Sequence, residues 1–113
     1  MPAAFQELYL EQGTTFVTTV TLDDVYGIVY DLTNVTPKSQ IRKSYYSANV
    51  AAEFDSQIPD PTVGVIVLQL DAATTSNLAA GRYVYDVAIQ DTANTVTRVL
   101  EGTMIVSPQV TRF

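Results

Sequence analysis

The side chains with chemical potential in this chain are carboxylates and phenols. Twelve Asp and Glu stand against six Lys and Arg, seven Tyr are present, and both His and Cys are absent. Lack of His removes the side chain that titrates near neutral pH and the commonest metal ligand. Lack of Cys excludes a thiol nucleophile, an iron–sulfur site, a Cys-based zinc site and any disulfide framework. What is left is metal binding through oxygen ligands, acid–base chemistry by paired carboxylates, and recognition by aromatic rings.

Asp55, Asp60, Asp71 and Asp91 fall in or near expected loops and could assemble a calcium site, but no spacing among them resembles an EF-hand loop. Solvated loop carboxylates explain them more simply, and Asp23–Asp24 likewise. Glycoside hydrolysis needs two carboxyl groups held about 5 to 9 Å apart in a cleft, and no such pair is legible. There is no Gly-rich phosphate cradle and no serine in a nucleophile elbow. The expectation is a protein that is not an enzyme and uses no cofactor or metal.

Tyr26, Tyr30, Tyr45, Tyr46, Tyr83 and Tyr85 could form an aromatic platform for a glycan or a protein. The plainer reading places half of them in the core with hydroxyls at its rim. Tyr45–Tyr46 is the exception, because adjacent strand residues point to opposite faces and one ring must reach a surface or interface. Arg82 and Asp86 share a strand face and would form a surface ion pair of little energetic weight. Asp31 and Arg42, on neighbouring segments, would fix register if buried together.

Charge narrows the partners. The net formal charge is -6, and the only basic cluster is Lys38, Arg42 and Lys43. A nucleic-acid binder needs a surplus of cations to displace counterions from phosphates, so no nucleic acid is expected. The N-terminus lacks a basic region followed by an apolar run and does not read as a secretion signal, which places synthesis in the cytoplasm. The most apolar stretch, Val63 to Leu70, is too short to cross a bilayer, and no membrane is expected.

The elements that must position these residues read as strands. Length fits one domain, residues 1–113. A short strand over Gln6 to Leu10 ends before Gly13. Thr14 to Leu22 alternates, with Phe16, Thr18, Val20 and Leu22 on one face. Apolar residues 28–32 make a further segment, and Lys38 to Tyr46 reads as a mostly exposed strand anchored by Ile41. Val50, Ala52 and Phe54 share an inward face, and Asp55 to Pro61 reads as a loop. Val63 to Leu70 is apolar on both faces and predicts a strand buried on both sides. Residues 74–80 are the one helix-like piece, with Thr74 or Thr75 as a cap. Tyr83 to Ile89 and Val96 to Ser107 form a hairpin about Asp91 to Thr95. The spacing predicts an all-β, immunoglobulin-like sandwich of about seven antiparallel strands. A small barrel would use the same pattern.

Three stretches carry a resemblance: DLTNVTPKSQIRKS from Asp31, LDAATTSNLAAGRYVYDVAIQD from Leu70, and RVLEGTMIVSPQVTR from Arg98. As an ordered set, over about residues 10 to 112, they resemble the small immunoglobulin-like modules of tailed-bacteriophage virion proteins. The nearest picture is the N-terminal module of upper-baseplate proteins and the stand-alone cyanophage versions. The chain departs from the pattern at Asn34 and Asn94, where Gly is common; Asn tolerates the left-handed geometry such positions need. The resemblance implies a virion component of baseplate, neck, tail or capsid surface, acting through contacts with other virion proteins or with itself. A carbohydrate- or host-surface-binding module is the alternative.

Association surfaces are expected on the apolar tails, residues 1–10 and 109–113, and on Lys38 to Tyr46. The candidate contact residues are Phe5, Leu8, Leu10, Lys38, Arg42, Tyr45, Tyr46, Val110 and Phe113. The tails could dock on their own domain, extend a neighbour's sheet edge or lock subunits in a ring.

Overall fold

Strands that alternate apolar and polar residues must each bury one face, and here they do so as two sheets packed face to face. The computed structural model describes residues 4–22 and 31–112. Tyr26, Tyr30, Asp23–Asp24, residues 28–30 of the segment expected at 28–32, and Phe113 lie outside the described residues.

The larger sheet contains β1 (Ala4–Phe5), β2 (Leu8–Glu11), β4 (Thr36–Arg42), β5 (Ala52–Glu53), β8 (Gly81–Gln90) and β9 (Val96–Ser107). Its order is β1-β9-β8-β4-β5, with β2 following β1 along the same flank of β9. The smaller sheet is β3 (Phe16–Thr21), β7 (Val65–Leu70) and β6 (Asp55–Gln57), in the order β3-β7-β6. Among the described residues, helical structure is confined to a 3-10 turn at Pro61–Val63 and the five-residue α1, Ala72–Ser76. The fold is thus an all-β sandwich with mostly antiparallel pairing.

Several expectations change in detail. The N-terminal strand is two short pieces, and both run parallel to β9 rather than antiparallel. Asp55–Gln57 is a strand, not a loop, because it completes the ladder on β7. β4 ends at Arg42 and is no exposed strand: it lies between β8 and β5 with Ser39 and Ile41 buried. β7 is buried on one face only; Ile66, Leu68 and Leu70 point inward while Val65 and Val67 are half-buried. Val50 is exposed rather than inward. Asp71, not a threonine, caps α1, accepting from the Thr74 N–H at 2.7 Å.

The core lies between the sheets. Leu8, Leu10, Ile41, Tyr83, Tyr85, Val87, Ile89, Leu100, Met104 and Val106 meet Val20, Ile66, Leu68 and Leu70. Burial of each such side chain contributes roughly 1.5–3 kcal/mol. Phe54 sits where the chain leaves β5 in one sheet and enters β6 in the other, and its ring touches both layers. It stands 6.0 Å from Phe16 and 6.2 Å, edge-on, from Tyr85. Buried polar groups are paired: Ser39 Oγ donates to the Asp86 carbonyl at 2.6 Å. Tyr83 donates to the Ala79 carbonyl at 2.7 Å. Asn34 and Asn94 both adopt the left-handed region, with φ of 61° and 63°.

Candidate functional site

β4, β8 and β9 turn alternate residues away from the core, so their outward sets line up into rungs across the larger sheet. One rung runs Phe5, Glu101, Asp86, Gln40, Glu53 through successive pairings. The next places Thr103, Val84 and Arg42 side by side, and another Tyr9, Ile105 and Arg82. Arg98 and Lys38 flank Ala88 on the far side. Four of the chain's six basic side chains, Lys38, Arg42, Arg82 and Arg98, therefore share this face.

Asp86 and Glu101 lie directly opposite each other, an arrangement of like charges that destabilises a sheet. Arg98 offsets it. Its Nε lies 3.3 Å from Asp86 and its Nη1 donates to Glu101 at 2.9 Å. A register shift at Val87/Ala88 makes this reach possible: Leu100 faces Val87 while Arg98 faces Ala88, leaving Val99 as the extra, bulged residue. The three side chains are partly exposed, so the triad orients groups more than it stabilises the fold.

Arg42 is held as firmly. Its Nη1 donates to the carbonyls of Ser47 and Ala48 at 2.9 and 3.0 Å, and its Nη2 to Gln40 Oε1 at 3.0 Å. These bonds tie the turn after β4 to the sheet face and set Tyr45 at its margin. Between them lies a cavity of about 310 Å³, lined by Gln40, Arg42, Tyr45, Val84, Asp86, Arg98 and Glu101. Aromatic rings border the face at both sides: Phe5 and Tyr9 at one, 66% and 69% exposed, and Tyr45 at the other, 65% exposed, while Tyr46, next in the same turn, is 97% exposed.

Of the residues expected at contacts, Phe5, Lys38, Arg42 and Tyr45 belong to this face. Leu8 and Leu10 do not: they are 6% and 1% exposed, because β2 docks on its own domain and drives both into the core. Val110 is fully exposed in the tail after β9, away from the described pairings. Tyr45 and Tyr46 are both exposed because they occupy a turn, not because they alternate on a strand. The expected Arg82–Asp86 pair is replaced by Arg98–Asp86 across strands. Asp31 does not meet Arg42; its carboxylate accepts from the Thr33 N–H and hydroxyl at 2.9 and 2.6 Å.

The loop acids have local work. Asp60 accepts from the Thr62 N–H and hydroxyl at 3.0 and 2.7 Å, and Asp91 from the Ala93 and Thr95 N–H groups at 2.9 and 3.0 Å. Hydrogen bonds from Thr33, Thr62 and Thr74 hold the Asp31, Asp60 and Asp71 carboxyls below the usual aspartate range. Among the described residues no three His, Cys, Asp or Glu side chains converge as a metal site would require. No helix among them is long and apolar enough to cross a membrane. Sequence reasoning missed Tyr9, Glu101 and Arg98, whose roles depend on parallel pairing and on the bulge. The hairpin pattern alone carried a signal for the Asp86–Glu101 apposition.

No protein-family model matches the chain, and no curated protein matches it in sequence. Many solved structures share its fold. Among them is CopC from Methylosinus trichosporium OB3b, with a TM-score of 0.51 and 14% identity, covering 99% of this chain and 92% of that one. At that identity the likeness is one of fold alone.

Proposed function

We propose that this protein is a non-enzymatic structural component of a phage virion that binds neighbouring proteins through the outer face of its larger sheet. The observation that carries the contact surface is the set of exposed rings at both borders, Phe5 and Tyr9 against Tyr45, with an organised Arg98–Asp86–Glu101 triad between them. Interfaces draw their binding energy from such aromatic and Arg side chains. Support for the virion setting comes from the ordered motifs that resemble phage modules, and a composition with neither His nor Cys supports the non-enzymatic part of the reading.

Mass spectrometry of purified particles of a phage encoding the chain tests the setting; absence from particles overturns it. A Phe5→Ser/Tyr9→Ser/Tyr45→Ser variant that folds normally is expected to lose incorporation. Carbohydrate binding is the second reading, favoured by Tyr45 bordering a cavity that also holds Gln40, Asp86 and Glu101. Glycan-array binding that Tyr45→Ala abolishes, with incorporation intact, would favour it.

A further inference from the structure

A sandwich exposes sheet edges, and each edge here is managed differently. β1 and β2 form one edge of the larger sheet; it is interrupted at Gln6–Glu7 and carries Glu7 and Glu11. β5, at the opposite edge, is two residues long. In the smaller sheet β6 is three residues and begins with Asp55. Short strands, interruptions and charges are the usual protections against unwanted pairing. β3 has none of them. It runs Phe-Val-Thr-Thr-Val-Thr over Phe16–Thr21 without charge, Pro, Gly or bulge, and Val17 is 57% exposed. Among the described residues it pairs on one side only, with β7.

We propose that β3 pairs antiparallel with β3 of a second copy across a two-fold axis, fusing two three-stranded sheets into one of six strands. The sequence of the strand is self-complementary in the required register. With the axis at Thr19, that residue faces its own counterpart, Thr18 faces Val20, and Val17 faces Thr21. Paired positions differ by an even number, so each pair lies on the same face of the joined sheet. Every one of these pairs is β-branched, the class that packs best across strands. An isologous contact needs this kind of self-match.

Charge selects the same edge. Two copies each carrying a net charge of -6 repel, least where the seam is neutral. Pairing through β2 or β6 would bring Glu11 or Asp55 to the seam of both copies. At the β3 seam, the nearest sheet carboxylate among the described residues, Asp55 on β6, lies two strand spacings back, about 10 Å, where salt screens it.

The test is the solution mass across a concentration series, for the native chain and for Thr19→Lys and Val17→Lys. Thr19 and Val17 face outward, so lysine is tolerated, and thermal melting checks that each variant folds. The native chain is expected to dimerise reversibly. Lysines facing each other at the axis are expected to raise the dissociation constant at least about fivefold. Because the chain has no Cys, Thr19→Cys supplies a single thiol, expected to oxidise to a covalent dimer, whereas Val96→Cys on the larger sheet stays monomeric. A native chain that is monomeric throughout overturns the proposal. So does a dimer that both lysine variants leave unchanged, or oxidation of Val96→Cys in preference to Thr19→Cys.

Discussion

The Tyr85 hydroxyl donates to the Gln6 carbonyl at 2.6 Å, directly over the position where Gly102 has no side chain. Tyr85 and Gly102 are cross-strand partners on the inner face. The missing side chain lets the link between β1 and β2 settle onto β9, where the Gln6 N–H donates to the Glu101 carbonyl at 2.9 Å. A Cβ on Gly102 would run into that Gln6 carbonyl. This contact, 79 residues apart in sequence, seats the N-terminal segment on the sandwich and places Phe5 and Tyr9 on the outer face.

Gly102→Ala is therefore expected to unseat β1 and β2 while the rest of the sandwich persists. Hydrogen exchange of Leu8 and Leu10 amides measures it; faster exchange there, with β7 unchanged, is the expected pattern. Tyr85→Phe removes only the hydrogen bond and should cost about 1 kcal/mol, read from denaturant unfolding.

Burial pushes the Tyr85 phenol up to about 12 from an ordinary value of 10.0. In the unfolded chain this group ionises first, so between those values the unfolded state holds fewer protons and stability falls as pH rises. Below pH 10 the contribution is fully present. Melting temperature measured from pH 9 to pH 12 should decline more steeply for the native chain than for Tyr85→Phe. Equal slopes would assign the decline to other groups.

Phe54 bridges the two sheets at the crossover between β5 and β6, touching Phe16 and Tyr85. Phe54→Ala should cost roughly 3–5 kcal/mol, enough to unfold much of a marginal domain. Phe54→Leu should cost less, and a loss of the near-ultraviolet dichroism of the ring cluster should accompany both.

Thr75 is fully buried in α1 and serves two groups of another element. Its hydroxyl donates to the Thr14 carbonyl at 2.8 Å and accepts from the Gly13 N–H at 3.1 Å. Thr75→Val keeps the shape and leaves both partners unpaired, with an expected cost of about 1–3 kcal/mol. Thr75→Ser should lose much less. Chemical denaturation of the pair separates hydrogen bonding from packing.

Alternation along Thr14–Leu22, Tyr83–Ile89 and Leu100–Val106 was legible because a strand with one buried face must repeat every two residues. The face read for the first of them, Phe16, Thr18, Val20 and Leu22, is the inward face of β3 and its continuation. The left-handed residues Asn34 and Asn94 were legible for a similar reason, since few side chains tolerate that backbone. The absence of His and Cys chemistry needed only the composition.

Tertiary structure decided what local pattern does not encode. Whether Leu8 and Leu10 meet a partner or their own domain depended on a parallel ladder with β9, formed between segments 96 residues apart at each register pair. Leu8 pairs with Met104, and apolar alternation looks the same in either case. Arg98 reaches Asp86 and Glu101 only because Val99 bulges, and a one-residue shift in register is silent in a pattern of alternating types. The sequence by itself determined which residues of each strand avoid water; the long-range pairings decided which strands became neighbours, and so which outward side chains share a face.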